Sequence, residues 1–147
     1  MTIRLAALLV LAAITSASAD PMPPAPPDDP IGDHLFPPDL VMAHQGELGL
    51  SAAQRTAIVA EIQRFQTTAV KLQWDLKTQG DALAALLAAP ALDEPRVLAQ
   101  ADAVMALEHD LKRAHLTLLV RLRNTLSAAQ QQQLRAIRDH ARTGGPP

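Results

Sequence analysis

Residues 51–89 read SAAQRTAIVAEIQRFQTTAVKLQWDLKTQGDALAALLAA, a stretch without a proline. Within it Ile58, Ile62, Phe65, Ala69, Leu72, Leu76, Gln79, Leu83 and Leu86 follow one another at alternating steps of four and three. Sustained over four heptads, that spacing lays one stripe along a helix and predicts a long, coiled-coil-like element. At 1.5 Å per residue, a helix from Ser51 to Ala89 would be roughly 57 Å long. Gln79 and its neighbour Gly80 interrupt the stripe. Glycine inside a helix costs about 1 kcal/mol relative to alanine, so a bend or a close backbone approach is expected there.

Working outward, Pro90 and Pro95 divide the body of the chain into two long proline-free segments. The second starts at Asp93, a natural N-cap, and runs to about Thr125. Val97, Ala101, Val104, Leu107, Leu111, Ala114, Leu118 and Leu122 line one of its faces. Two long helices joined by a short proline-marked turn make an antiparallel hairpin, and the fold class is all-α. A hairpin of this length is a rod with little interior. It buries one stripe per helix and leaves Val59, Val70, Trp74, Leu98, Leu116 and Leu119 poorly covered. A second copy is the simplest cover, and two-fold dimers are the commonest oligomers, so a homodimer is expected.

Composition agrees. Of 147 residues, 28 are Ala and 23 are Leu, with only Phe36, Phe65 and Trp74 aromatic. The absence of cysteine excludes a disulfide scaffold, a thiolate metal site and a cysteine nucleophile. The small number of Val and Ile residues argues against a β-sandwich or barrel.

Toward the N-terminus, Arg4, the apolar run Leu5 to Ile14 and the small residues Ala17-Ser18-Ala19 form a secretory signal pattern over residues 1–19. Ten apolar residues rise about 15 Å, half of a hydrocarbon core, so cleavage rather than stable membrane insertion is expected. The mature chain is therefore expected to be exported, to the periplasm. Eight of the twelve prolines lie within residues 21–38, and residues 20–47 carry six acids and no Lys or Arg. Residues 20–38 therefore read as an acidic, extended and disordered leader, 39–142 as the helical domain, and 143–147 as a flexible tail. The remainder, residues 48–147, has a net charge of +3. With a single Trp, that excess is too small to indicate nucleic-acid binding.

One feature repeats word for word. Leu50-Ser51-Ala52-Ala53-Gln54 recurs as Leu126-Ser127-Ala128-Ala129-Gln130. Each copy is a capping box, in which the serine hydroxyl accepts from the N3 amide and the N3 glutamine accepts from the serine amide. The second copy opens a short final helix, about Ala128 to Arg142. The residues one turn beyond each leucine are poor apolar partners, so Leu50 and Leu126 are expected to pack elsewhere.

This layout resembles the Spy/CpxP family of periplasmic stress proteins, marked by a pair of Leu-Thr-x-x-Gln motifs. Its wider superfamily includes zinc-resistance-associated proteins and periplasmic heavy-metal sensors. Both copies here carry Ser for Thr, which keeps the capping hydroxyl. The turn Leu86-Leu87-Ala88-Ala89-Pro90 with Asp93, and the lead-in Phe36-Pro37-Pro38-Asp39-Leu40-Val41-Met42, add to the resemblance, which covers residues 36–142. It implies an elongated four-helix protomer built on the long hairpin, paired as a cradle-like dimer. It also implies ATP-independent binding of unfolded or misfolded envelope proteins, or, in other members, heavy-metal sensing and resistance.

Neither a metal centre nor an active site is legible. The five histidines are His34, His44, His109, His115 and His140. Superfamily sensors carry His-x-x-x-Met ahead of the second motif, whereas Leu118 to Leu122 holds neither residue. Met105 and His109 share a helical face next to Glu108, but a thioether, one imidazole and a carboxylate suit a transition metal poorly. His109 and His115 point to different sides of one helix. No cofactor is expected; zinc or another divalent transition metal is the alternative that the superfamily keeps open. The sequence has no nucleophile elbow, no His-Glu-x-x-His and no phosphate loop, so an enzyme is not expected.

Overall fold

The computed structural model describes residues 32–142 and Gly144. A 3-10 turn at Gly32–His34 precedes four helices: α1 (Pro38–Ala43), α2 (Ala52–Leu87), α3 (Glu94–Thr125) and α4 (Ala128–Arg142). The described residues contain no strand. The expected signal segment, most of the expected leader and nearly all of the tail lie outside them.

Local chemistry sets the boundaries. Ser51 and Gln54 close a reciprocal capping box at the start of α2, with Gln54 N 3.1 Å from Ser51 Oγ and Ser51 N 3.0 Å from Gln54 Oε1. Asp93 caps α3 through the Arg96 amide, and Pro95 occupies the first turn, where its missing N–H costs nothing. Gly49 takes φ +58°, a left-handed conformation that lets the α1–α2 loop turn. In that turn Leu50 N donates to Gln45 O.

α2 and α3 pack along their length as an antiparallel hairpin. Cross-links fix its register. Glu61 meets Arg121, the Phe65 ring lies 5.6 Å from that of His115, and Gln100 Nε2 donates to Gln79 at 2.8 Å. α1, its flanking loops and α4 close over the open end of the hairpin. There Phe36, Val41, Leu48, Leu50, Ile58, Leu118, Leu122, Leu126 and Leu134 form one buried cluster, with Ile62 and Phe65 half-buried against it.

Two expectations are corrected. The leader does not extend to residue 38: Leu35 and Phe36 are buried, and Phe36 is only 1% exposed. Arg138 on α4 explains why. Its guanidinium donates to the carbonyls of Gly32, Asp33 and Leu35 and lies 5.9 Å from the Phe36 ring centroid. A side chain over a hundred positions downstream thus holds the 3-10 turn and Leu35, which the prolines alone would leave free. The second correction concerns Gly80. α2 is assigned as helix without interruption through Gln79 and Gly80, and a Cβ built on Gly80 would meet nothing within 4 Å. No close backbone approach occurs there; the break in the stripe is a polar layer made by Gln79 and Gln100.

Candidate functional site

The repeated motif assembles as a clasp. Gln54 and Gln130, 76 positions apart in sequence, face each other. Gln54 Nε2 donates to Gln130 Oε1 at 2.8 Å and to the Thr125 carbonyl at 2.9 Å. Gln130 Nε2 donates to the Leu48 carbonyl at 3.1 Å and to Gln54 Oε1 at 3.3 Å. Each glutamine also accepts from its own capping serine, since Ser127 N lies 2.9 Å from Gln130 Oε1 and Gln130 N is 3.3 Å from Ser127 Oγ. Each amide therefore caps its own helix and ties the loop before the other one. Leu50 and Leu126 enter the common core from either side. The two copies form one structure, which sequence spacing alone did not reveal.

The neighbouring glutamines share this work. Gln131 Nε2 donates to the carbonyls of Arg123 and Leu126, and Gln133 Nε2 donates to that of Glu47. Residues 130–133 are a run of four glutamines. The run was a usable signal, because long amides beside a helix start can satisfy orphan carbonyls. Arg138 had no such signal.

The second feature is the hairpin's uncovered face. Val59, Val70 and Trp74 on α2, and Leu98, Met105, Leu116 and Val120 on α3, are all exposed, with Trp74 at 69%. At 3.6 residues per turn, Val59, Val70, Leu98 and Met105 lie roughly a quarter to a third of a turn to one side of the seam. Trp74, Leu116 and Val120, each midway between two stripe residues, point directly away from it. In an antiparallel pair, equal rotations from the seam fall on one side, so Val59, Val70, Leu98 and Met105 share a face, with Trp74, Leu116 and Val120 on the outer edges of their helices. The register brings Trp74 level with Met105, and Val59 level with Val120. Leu87 and Leu92 continue the apolar surface at the hairpin turn. Lys77, Asp102 and Lys112, all exposed, break it up. Of the leftover apolar residues expected from sequence, only Leu119 is half-buried; Leu87, Leu92, Met105 and Val120 are additions.

The opposite face carries a groove lined by both helices, with an accessible volume of about 370 Å³. Glu61 sits at its edge, paired with Arg64 on its own helix and with Arg121 across the seam at 3.0 Å. The guanidiniums of Arg64 and Arg121 hold its carboxyl below the usual range. At the base of the molecule Asp33 is likewise lowered, chiefly by the Arg142 guanidinium 2.7 Å away.

Among the described residues no metal centre assembles. His44 Nδ1 is 3.1 Å from Glu47 Oε1, and His109 Nδ1 is 3.5 Å from Asp110 Oδ1. Among the described residues no three or more His, Asp or Glu are placed to hold an ion. A two-donor set falls short of the four ligands a structural zinc site takes, so the described residues of a single chain do not fit one. No helix among the described residues is long and apolar enough to cross a membrane.

Fold and clasp together define a class: four-helix proteins built on one long hairpin and closed by a doubled Leu-Ser-x-x-Gln cap. The chain belongs to the heavy-metal resistance family, whose model matches residues 2–142, within the Spy/CpxP-type superfamily. No curated protein and no solved structure matches it.

Proposed function

We propose that this chain is a periplasmic, non-enzymatic holding protein. It binds unfolded or misfolded envelope proteins without nucleotide and works as a homodimer. The reading rests on the exposed apolar residues Val59, Val70, Trp74, Leu98, Met105, Leu116 and Val120, of which Val59, Val70, Leu98 and Met105 share one face of the hairpin. Apolar residues gathered on one face of a folded domain mark an interaction surface more often than chance exposure. Lys77 and Lys112 on that face supply charge that speeds the encounter with acidic chains, while the apolar residues supply weak contacts.

The decisive experiment is aggregation of a chemically denatured client in the presence of the mature protein, without ATP. Suppression at a few-fold excess, lost when Trp74, Met105 and Leu116 are replaced together by serine, supports the reading. An unchanged aggregation curve at several-fold excess rejects it. Sedimentation at micromolar concentration tests the dimer, which a folded monomer refutes.

Membership of the heavy-metal resistance family supports a second reading, a metal-responsive protein. Its donors would have to come from more than one chain or from residues outside 32–142. Calorimetry with zinc, copper, nickel and cobalt, repeated on His44→Ala, tests it; absent or millimolar binding rejects it.

A further inference from the structure

The groove on the face opposite Val59 and Met105 has a chemistry that neither reading uses. Its floor is apolar: Phe65, Leu72, Ala114 and Leu118. Ala114 lines the groove, and its short side chain leaves space that a leucine would fill. Its walls offer few free polar groups, since the hydroxyls of Thr68 and Thr117 are turned back to the carbonyls of Arg64 and Arg113 on their own helices.

The rim is cationic. Arg64, Arg113 and Arg121 stand round it against Glu61 and Asp110. Glu61 occupies only part of two guanidiniums, each of which has five N–H donors. Asp110 lies beside His109, and the Arg113 side chain has no carboxylate partner among the described residues. An apolar floor of about 370 Å³, beneath arginines with donors to spare, is the complement of a short hydrocarbon ending in a carboxylate.

We propose that this groove binds a small amphipathic carboxylate, a free fatty acid of medium chain length. The tail lies over Phe65 and Leu118, across the gap at Ala114. The carboxylate takes hydrogen bonds from Arg113 and from the unoccupied N–H groups of Arg121. The site goes beyond client holding and lies on the other side of the hairpin from it, so the two succeed or fail separately.

Titration of the 15N-labelled mature protein with octanoate, 1-octanol and acetate tests the proposal. Octanoate should shift the amides of Phe65, Thr68, Ala114 and Thr117 saturably. Octanol lacks the charge and acetate the tail, so each should bind at least about fivefold more weakly, a loss of about 1 kcal/mol. Arg113→Ala should weaken octanoate by a similar factor, Ala114→Phe should abolish binding by filling the groove, and Trp74→Ala should leave it unchanged. The proposal is overturned if octanol binds as well as octanoate, or if the shifts map to Val70, Trp74 and Met105. It also fails if the groove amides shift with protein concentration alone, because a second copy then occupies the groove. The comparison of octanoate with octanol uses the unaltered protein, so it stands even if Ala114→Phe fails to fold.

Discussion

Between Ile58 and Ala69 on α2, and between Leu118 and Leu126 at the end of α3, the seam includes fully buried side chains. Between Leu72 and Leu111 it has none: Leu72, Leu76, Leu83, Leu86, Val97, Val104, Leu107 and Leu111 are all half-buried. The same heptad stripe runs through both regions, so the helices themselves do not explain the difference. A third layer does. At the closed end α1, its loops and α4 lie over the hairpin, and Phe36, Val41, Leu48 and Leu134 complete the core. In the free arm two helices meet alone, and each apolar side chain keeps one side to solvent. Apolar patterning therefore shapes the arm, and only burial by another element can make it a core.

The largest expected effect breaks this comparison most directly. Leu134, at 0% exposed, completes the core from α4, whereas Leu83 lies half-buried on the α2 stripe in the arm. Leu134→Ala should cost about 2–5 kcal/mol in denaturant unfolding, the range for a buried leucine. Leu83→Ala should cost well under half as much. That gap should hold where the chain is monomeric; a Leu83→Ala loss that rises towards that of Leu134→Ala with protein concentration would mean that a second copy covers the arm.

Next in size is the clasp. Gln54→Ala removes donors to Thr125 O and Gln130 Oε1 and an acceptor for Ser51 N. Leaving partly buried groups unpaired should cost about 1–3 kcal/mol. Gln130→Ala should cost a similar amount, and the double variant less than the two combined, because each amide is the other's partner. Strict additivity in a double-mutant cycle would show that the two caps act independently.

The arm has its own polar layer, with the opposite expectation. Gln100 Nε2 donates to both the carbonyl and the side chain of Gln79. Replacing both by leucine continues the stripe and should be neutral or stabilising, within about 1 kcal/mol, whereas Gln79→Leu alone should be the worse variant. If the pair instead destabilises the arm by amide exchange, the glutamines fix the register of the two helices.

How much of this was legible follows from the range of the interactions. The ends of α2, α3 and α4 are set within a few residues by caps and prolines, so Ser51, Asp93 and Ser127 were readable as boundaries. The stripe is periodic, which made the hairpin and most of its exposed apolar residues readable too. The clasp between Gln54 and Gln130, the capture of Phe36 by Arg138 and the groove between Phe65 and Ala114 join residues tens to a hundred positions apart. No local pattern encodes which distant partner a side chain will meet. The two motifs were visible singly, and only their juxtaposition shows why the chain carries the glutamine twice.

The smallest effect concerns Glu61, whose link to Arg121 is an ion pair joining α2 to α3. In the arm the pairs Lys71–Asp75 and Lys77–Asp81 each stay within one turn of α2 and hold nothing across the seam. Arg64 and Arg121 depress the Glu61 pKa in the folded state. A carboxylate with a depressed folded pKa contributes stability above its unfolded pKa, about 4.3, and loses it as the pH falls through the folded value. The arginines are largely exposed, so the contribution is screened and should not exceed about 1 kcal/mol at neutral pH. The stability difference between the protein and Glu61→Gln should therefore be constant from pH 7 to about 5, shrink below about 4.3 and approach zero near pH 2. The corresponding difference for Asp75→Asn should be smaller throughout, since that carboxylate links no second helix. If the Glu61→Gln difference were as large at pH 2 as at pH 7, packing rather than the ion pair would be what Glu61 contributes at the closed end.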